Sequence, residues 1–210
     1  IMKKVLLFAA FAAFAMTNVN AQDDSSGFAK SDIYMTGTVG FNSSTTSYST
    51  SGIDDDETSS TTFSPAVGYM ISDNIALEVG LDYTSAEGYD DVAMADSETT
   101  ITAFQVGARW FMNPSDKFSL SVGAGLGFGS GTTTFTGSTV ELEASGLTFT
   151  VAPAVNYWMS DSWGLFANIA AFEYSSVESS NNQTSDTSDT TSTGLNIDLS
   201  NINFGMVYKF

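Results

Sequence analysis

The chain contains no cysteine and no histidine. Without cysteine there is no disulfide, no thiolate metal site and no thiol nucleophile. Without histidine the commonest general base and metal ligand is missing. Basic residues are scarce as well: 6 Lys and Arg stand against 24 Asp and Glu, a net charge of −18. Nucleic acid is therefore an unsuitable partner, because neutralising phosphates takes clustered Lys and Arg. After residue 22 no apolar run is long enough for a transmembrane helix. If that part of the chain enters a membrane it must do so as a closed barrel, the other architecture that satisfies every backbone group in lipid.

The N-terminus reads as a targeting segment. Met2-Lys3-Lys4 is a short basic start, and Val5 to Met16 is an apolar run of 12 residues. That length suits a secretory signal and is too short to span a bilayer. Val19-Asn20-Ala21 places compact residues where signal peptidase wants them, so cleavage is expected between Ala21 and Gln22. The expected domains are thus a signal peptide, 1–21, and one further domain, 22–210. Lys30, Arg109, Lys117 and Lys209 are then the only basic residues left. No Cys follows the signal, which excludes lipid attachment there.

What the chain does have is alternation. Phe118, Leu120, Val122, Ala124, Leu126 and Phe128 share one face of an extended segment, and Ser119, Ser121, Gly123, Gly125 and Gly127 share the other. Ile75, Leu77, Val79, Leu81 and Tyr83 alternate with Ala76, Glu78, Gly80 and Asp82 in the same way. Helical periodicity would mix both faces. Eight strands are expected, near 32–42, 61–71, 75–85, 99–112, 117–129, 146–159, 163–174 and 194–210. Most exceed the roughly 9–11 residues a tilted strand needs to cross a bilayer. The last, ending Phe204-Gly205-Met206-Val207-Tyr208-Lys209-Phe210, runs its apolar row to the terminal aromatic. In water that row is costly; in a bilayer it faces lipid. The alternation in 163–174 is ambiguous, since both faces carry apolar residues; Asn168 is expected inward. A parity change between Leu199 and Ile202 suggests a β-bulge.

Connections alternate short and long. Ser72-Asp73-Asn74, Asn113-Pro114-Ser115-Asp116 and Ser160-Asp161-Ser162 are tight turns of turn-forming residues. Long polar stretches near 43–60, 86–98, 130–145 and 175–193 are expected to be solvated loops. They hold 14 of the 24 acidic residues and no Lys or Arg. Two aromatic girdles follow: Tyr69, Trp110, Tyr157, Trp163, Tyr208 and Phe210 beside the short turns, and Phe41, Tyr83, Phe128 and Tyr174 beside the long stretches.

The signal segment, eight alternating strands and terminal Tyr208-Lys209-Phe210 together resemble the small eight-stranded bacterial outer-membrane β-barrels of the outer-membrane-protein A, X and W type. The signal end Asn18-Val19-Asn20-Ala21-Gln22 resembles those of Bacteroidetes-type bacteria. The resemblance implies an all-β fold, an eight-stranded antiparallel up-and-down transmembrane barrel in the outer membrane. It also implies a monomer facing lipid and lipopolysaccharide. By resemblance, Phe204, Met206, Tyr208 and Phe210 form the signal that the barrel-assembly machinery recognises. No peptidoglycan-binding domain is expected after the barrel.

Inward charges are the candidate site: Glu78, Asp82, Gln105, Arg109 and Lys209 are expected to form a polar network filling the lumen. Eight strands leave an interior just wide enough for side chains to fill. Against this, the inner row Gly123, Gly125 and Gly127 leaves free volume, which keeps a narrow pore open as a reading. Asp54-Asp55-Asp56-Glu57 lacks the alternating ligand spacing of a calcium loop and reads as solvated. No cofactor, no metal and no enzyme activity are expected. Three functions remain: a structural or surface-interaction barrel with a plugged lumen, a narrow channel for cations or small solutes, and a soluble lipid-binding barrel with its apolar face inside.

Overall fold

A computed structural model describes residues 27–46, 56–90, 95–112, 114, 117–183, 187–196 and 203–210. The signal segment with its Ala21–Gln22 junction, and the bulge expected between Leu199 and Ile202, lie outside the described residues.

Ten β-segments follow in order: β1 (Ile33–Thr46), β2 (Asp56–Met70), β3 (Ile75–Asp90), β4 (Ala95–Met112), β5 (Phe118–Phe135), β6 (Glu141–Trp158), β7 (Trp163–Asn168), β8 (Ala171–Asn181), β9 (Thr187–Asn196) and β10 (Asn203–Lys209). All pairings are antiparallel, and each strand from β1 to β6 pairs with the next. β7 and β8 both lie on β6, as two halves of one stave. β9 lies on β8, and β10 lies between β7 and β1. The sheet therefore closes on itself as an eight-staved, up-and-down barrel. The closing ladder joins Tyr34, Met35, Thr36 and Gly37 to Lys209, Tyr208, Val207 and Met206. Among the described residues, β1 beyond Gly37 pairs with β2 alone.

The wall is apolar on the outside. Leu77, Val79, Leu81, Phe104, Leu126 and Phe128 all point outward and are exposed. This face overturns the soluble lipid-binding reading, which needs the apolar face within. Both girdles also point outward: Tyr69, Trp110, Tyr157 and Trp163 at the short-turn end, Phe41, Phe128 and Tyr174 at the other. Trp163, Tyr208 and Phe210 touch in series, with ring centroids 4.7 and 5.0 Å apart.

Short turns are held by serine. The Ser72 hydroxyl accepts from the Ile75 N–H at 3.1 Å, and the Ser160 hydroxyl accepts from the Trp163 N–H at 3.1 Å. Both are local side-chain bonds that favour turns over continued ladder.

The ambiguous stave has a physical explanation. Ala154 pairs with Asn168, but Val151 pairs with Phe172, so the three residues Ile169, Ala170 and Ala171 stand opposite two, Ala152 and Pro153. This is a β-bulge, and the Ile169 N–H still reaches the Pro153 carbonyl at 3.1 Å. Leu165 and Ala167 face out before it and Phe172 and Tyr174 after it, while Phe166 and Asn168 face in. Leu195 and Phe204 both point outward.

One expectation is corrected. The long polar stretches are largely strand rather than loop: Glu57, Glu87, Glu98, Glu143, Glu178 and Asp189 all sit in ladders. The walls continue beyond the apolar band because a ladder needs only paired backbones, and Thr suits a strand well. With water on both sides, no apolar alternation marks these segments in the sequence.

Candidate functional site

The lumen is layered. At the short-turn end the segment before β1 folds into the mouth. Phe28 is buried, with its ring centroid 4.5 Å from Tyr34, 4.8 Å from Phe111 and 4.8 Å from Trp158. Met70, Ala76, Val207 and Phe166 complete this apolar base. The small core of the molecule thus sits at one end of the barrel.

The polar layer lies directly above. Tyr34 donates its hydroxyl proton to Glu78 Oε1 at 2.7 Å, and Arg109 Nε donates to the same oxygen at 2.8 Å. Arg109 Nη1 also donates to Ser121 Oγ at 3.4 Å, which accepts from Asn156 Nδ2 at 3.0 Å. A guanidinium taken out of water needs such a partner set, since an unpaired buried charge is costly. The side chains of Arg109 and Glu78 are 17% and 15% exposed.

What space remains in these two layers is small. The void bounded by Phe28, Tyr34, Glu78, Arg109, Phe111 and Asn156 measures about 10 Å³. One water needs about 10–15 Å³, so this void holds at most about one. Above, Gln105 donates to Asp82, and hydroxyl pairs cross the strands at Thr62–Thr84 (3.3 Å) and Thr99–Thr133 (2.9 Å). Higher still, a pocket of about 320 Å³ opens among Asn42, Ser44, Thr58, Ser60, Ser97 and Thr99.

The five inward residues expected from sequence thus fall into three places. Glu78 and Arg109 meet, Asp82 and Gln105 meet one level up, and Lys209 lies in the base, donating to the Gly27 carbonyl at 2.7 Å. The free volume expected along the inner glycines is mostly taken. A Cβ at Gly123 would lie 3.1–3.3 Å from the Arg109 guanidinium, and one at Gly127 would lie 2.4 Å from Thr148 Oγ1. Gly125 has only ordinary neighbours, the nearest at 3.4 Å. Glycine on the inner face makes room for the large side chains of facing strands.

Sequence reasoning missed Tyr34, Ser121, Asn156 and Phe28. The first three share the inward parity of their strands and could have been found by extending it. Phe28 precedes the first alternating segment and carried no such signal. Glu173 also faces the lumen, because the bulge reverses the parity that 163–168 would give it.

Comparisons agree with this architecture. A family model described as the outer membrane protein beta-barrel domain matches residues 6–210. Among solved structures, the outer membrane protein OprG from Pseudomonas aeruginosa superposes with a TM-score of 0.52 at 13% identity, over 89% of this chain and 99% of that one. Neisserial surface protein A gives a TM-score of 0.46 at 16% identity, over 85% and 97%. Ail, the attachment invasion locus protein of Yersinia pestis, gives 0.46 at 14% identity, over 86% and 99%. At these identities the likeness is one of fold. No curated protein matches the sequence.

Proposed function

Since the chain belongs to the outer membrane protein beta-barrel domain family and so resides in a bacterial outer membrane, we propose that it is a non-conducting, non-enzymatic barrel whose working surface is the acidic, hydroxyl-rich rim beyond the membrane. The observation that supports this reading is the filling of the base by side chains, where the void beside Phe28, Tyr34 and Arg109 measures about 10 Å³, no larger than one water requires. In this arrangement the short turns and Phe28 face the periplasm and the extended hairpins face outward, among lipopolysaccharide. The rim, carrying acids without a Lys or Arg between 43 and 60, 86 and 98, 130 and 145 or 175 and 193, repels anions and gathers cations over about 8 Å at physiological salt. The outward row Phe204, Met206, Tyr208 and Phe210 serves assembly, as the strand that the insertion machinery reads. Glu78, Arg109, Asp82 and Gln105 serve as lumen filling, with Lys209 below them.

The test is single-channel conductance of the protein refolded into a planar bilayer. Silence from an inserted, heat-resistant barrel is the expected result. Steady cation-selective openings would establish instead a narrow channel, a second reading favoured by the 320 Å³ upper pocket and the acidic rim.

A further inference from the structure

The segment that seals the base is not part of the barrel wall. Gly27 to Asp32 precedes β1 and reaches into the mouth as a separate strap. It is tied at three points. The Phe28 N–H donates to the Pro114 carbonyl in the β4–β5 turn at 2.8 Å. The Ser31 N–H donates to the Met70 carbonyl, and the Met70 N–H donates back to the Asp32 carbonyl, both at 2.9 Å. Lys209 Nζ donates to the Gly27 carbonyl at 2.7 Å, lies 3.9 Å from the Asp32 carboxylate, and stands 5.6 Å over the Trp158 ring.

That last tie differs from the other two. Lys209 is on β10, the final strand, and stands opposite Tyr34 in the ladder that closes the barrel. Its amine therefore reaches Gly27 only when β10 is zipped to β1. The socket for Phe28 has the same property, since Tyr34 comes from β1, Met70 from β2, Phe111 from β4, Trp158 from β6 and Val207 from β10. An open sheet has no such socket. The strap turns into it through two residues of positive φ, Gly27 at 100° and Ser31 at 75°. Ser31 sits in a conformation that non-glycine residues seldom hold unless their surroundings impose it.

The geometry points to a stopper that seats last: Phe28 enters the mouth, and Lys209 latches it, as a consequence of barrel closure. Sealing of the base and closure of the wall are then one event, and an unclosed barrel presents an unplugged mouth. This deepens the plugged-lumen reading and rests on it for the sealed base. Accessibility of Trp158, unlike conductance, tests the stopper alone.

The experiment uses a Trp110→Phe, Trp163→Phe background, which leaves Trp158 as the one tryptophan. Refolded into phosphatidylcholine vesicles, it is titrated with acrylamide. Trp158 should be shielded in this background. Phe28→Ala should raise the quenching constant threefold or more, and Lys209→Met should do so as well, with Lys209→Arg restoring shielding. Lys117→Met, at the same end but over Tyr157 on the outer face, should change nothing. Each variant is first shown to be closed by its heat-resistant gel mobility. During refolding, shielding should appear together with the heat-resistant form. Shielding that persists in closed Lys209→Met, or that precedes closure, would overturn the latch, whatever the conductance of the protein.

Discussion

The ring of Tyr34 fills the space above Gly68 so completely that a Cβ at Gly68 would lie 2.1 Å from the Tyr34 Cζ. That contact places the Tyr34 hydroxyl on Glu78. Gly68→Ala should therefore displace the ring and lose the hydrogen bond, at about 2–4 kcal/mol for overpacking plus an unmade bond. Gly125→Ala, whose Cβ would meet nothing closer than 3.4 Å, should cost under about 1 kcal/mol. Urea unfolding of the two variants in vesicles checks the contrast.

Arg109 and Glu78 should behave as a unit. Arg109→Met alone leaves a carboxylate in the lumen with the Tyr34 hydroxyl as its remaining described donor, and should cost about 3 kcal/mol or somewhat less, since both groups retain some exposure. Adding Glu78→Gln removes the stranded charge and should recover at least half of that loss. A loss in the double variant equal to the sum of the separate Arg109→Met and Glu78→Gln losses would show that the pair is not coupled.

The outer face predicts a steep dependence on height. Val122 lies in the middle of the apolar stretch of β5, between Phe118 and Phe128, and is exposed. Val122→Arg should cost about 2–4 kcal/mol, as expected near a bilayer midplane. Thr132, on the same strand and the same outward parity but past the apolar band, should accept Arg at close to no cost. Unfolding titrations in vesicles of one thickness measure both.

Deleting Ala170 should be far more damaging than any single substitution nearby. It removes the bulge opposite Ala152 and Pro153 and shifts the parity of all that follows in the stave. Phe172 and Tyr174 would turn into the lumen and Glu173 toward lipid. The expected outcome is loss of the heat-resistant form, while Ala170→Ser retains it.

These residues also mark how far the sequence could be read. From Ile75 to Tyr83 and from Phe118 to Phe128 one face meets lipid and the other the lumen, so the pattern states strand, orientation and burial together. Past Tyr83 and Phe128 both faces meet water. The ladder continues to Asp90 and Phe135, but no alternation is required of it, and the Ser and Thr there read as loop. At Ile169 and Ala170 one extra residue erased the parity on which inward placement depends, which hid Glu173. Inward charges were visible residue by residue, yet which would meet depended on register. Arg109 reaches Glu78 because Glu78 pairs with Gly107 across the β3–β4 ladder, a fact of pairing that one strand's sequence does not contain. Phe28 was beyond reach for a simpler reason: a single residue has no period.

The continued ladders set the height at which the rim acts. On β5 the outward apolar row ends at Phe128 and the strand runs on to Phe135; at about 3.3 Å per residue and a tilt near 40°, those seven steps climb roughly 18 Å. That is more than two screening lengths in physiological salt, each about 8 Å. Charges carried at the top of such a palisade are electrically detached from the headgroups beneath. In the proposed orientation a solute approaching from outside meets the field of the protein before it meets that of the membrane, so mutations at the rim should alter what the cell surface attracts without changing how the barrel sits in its lipid.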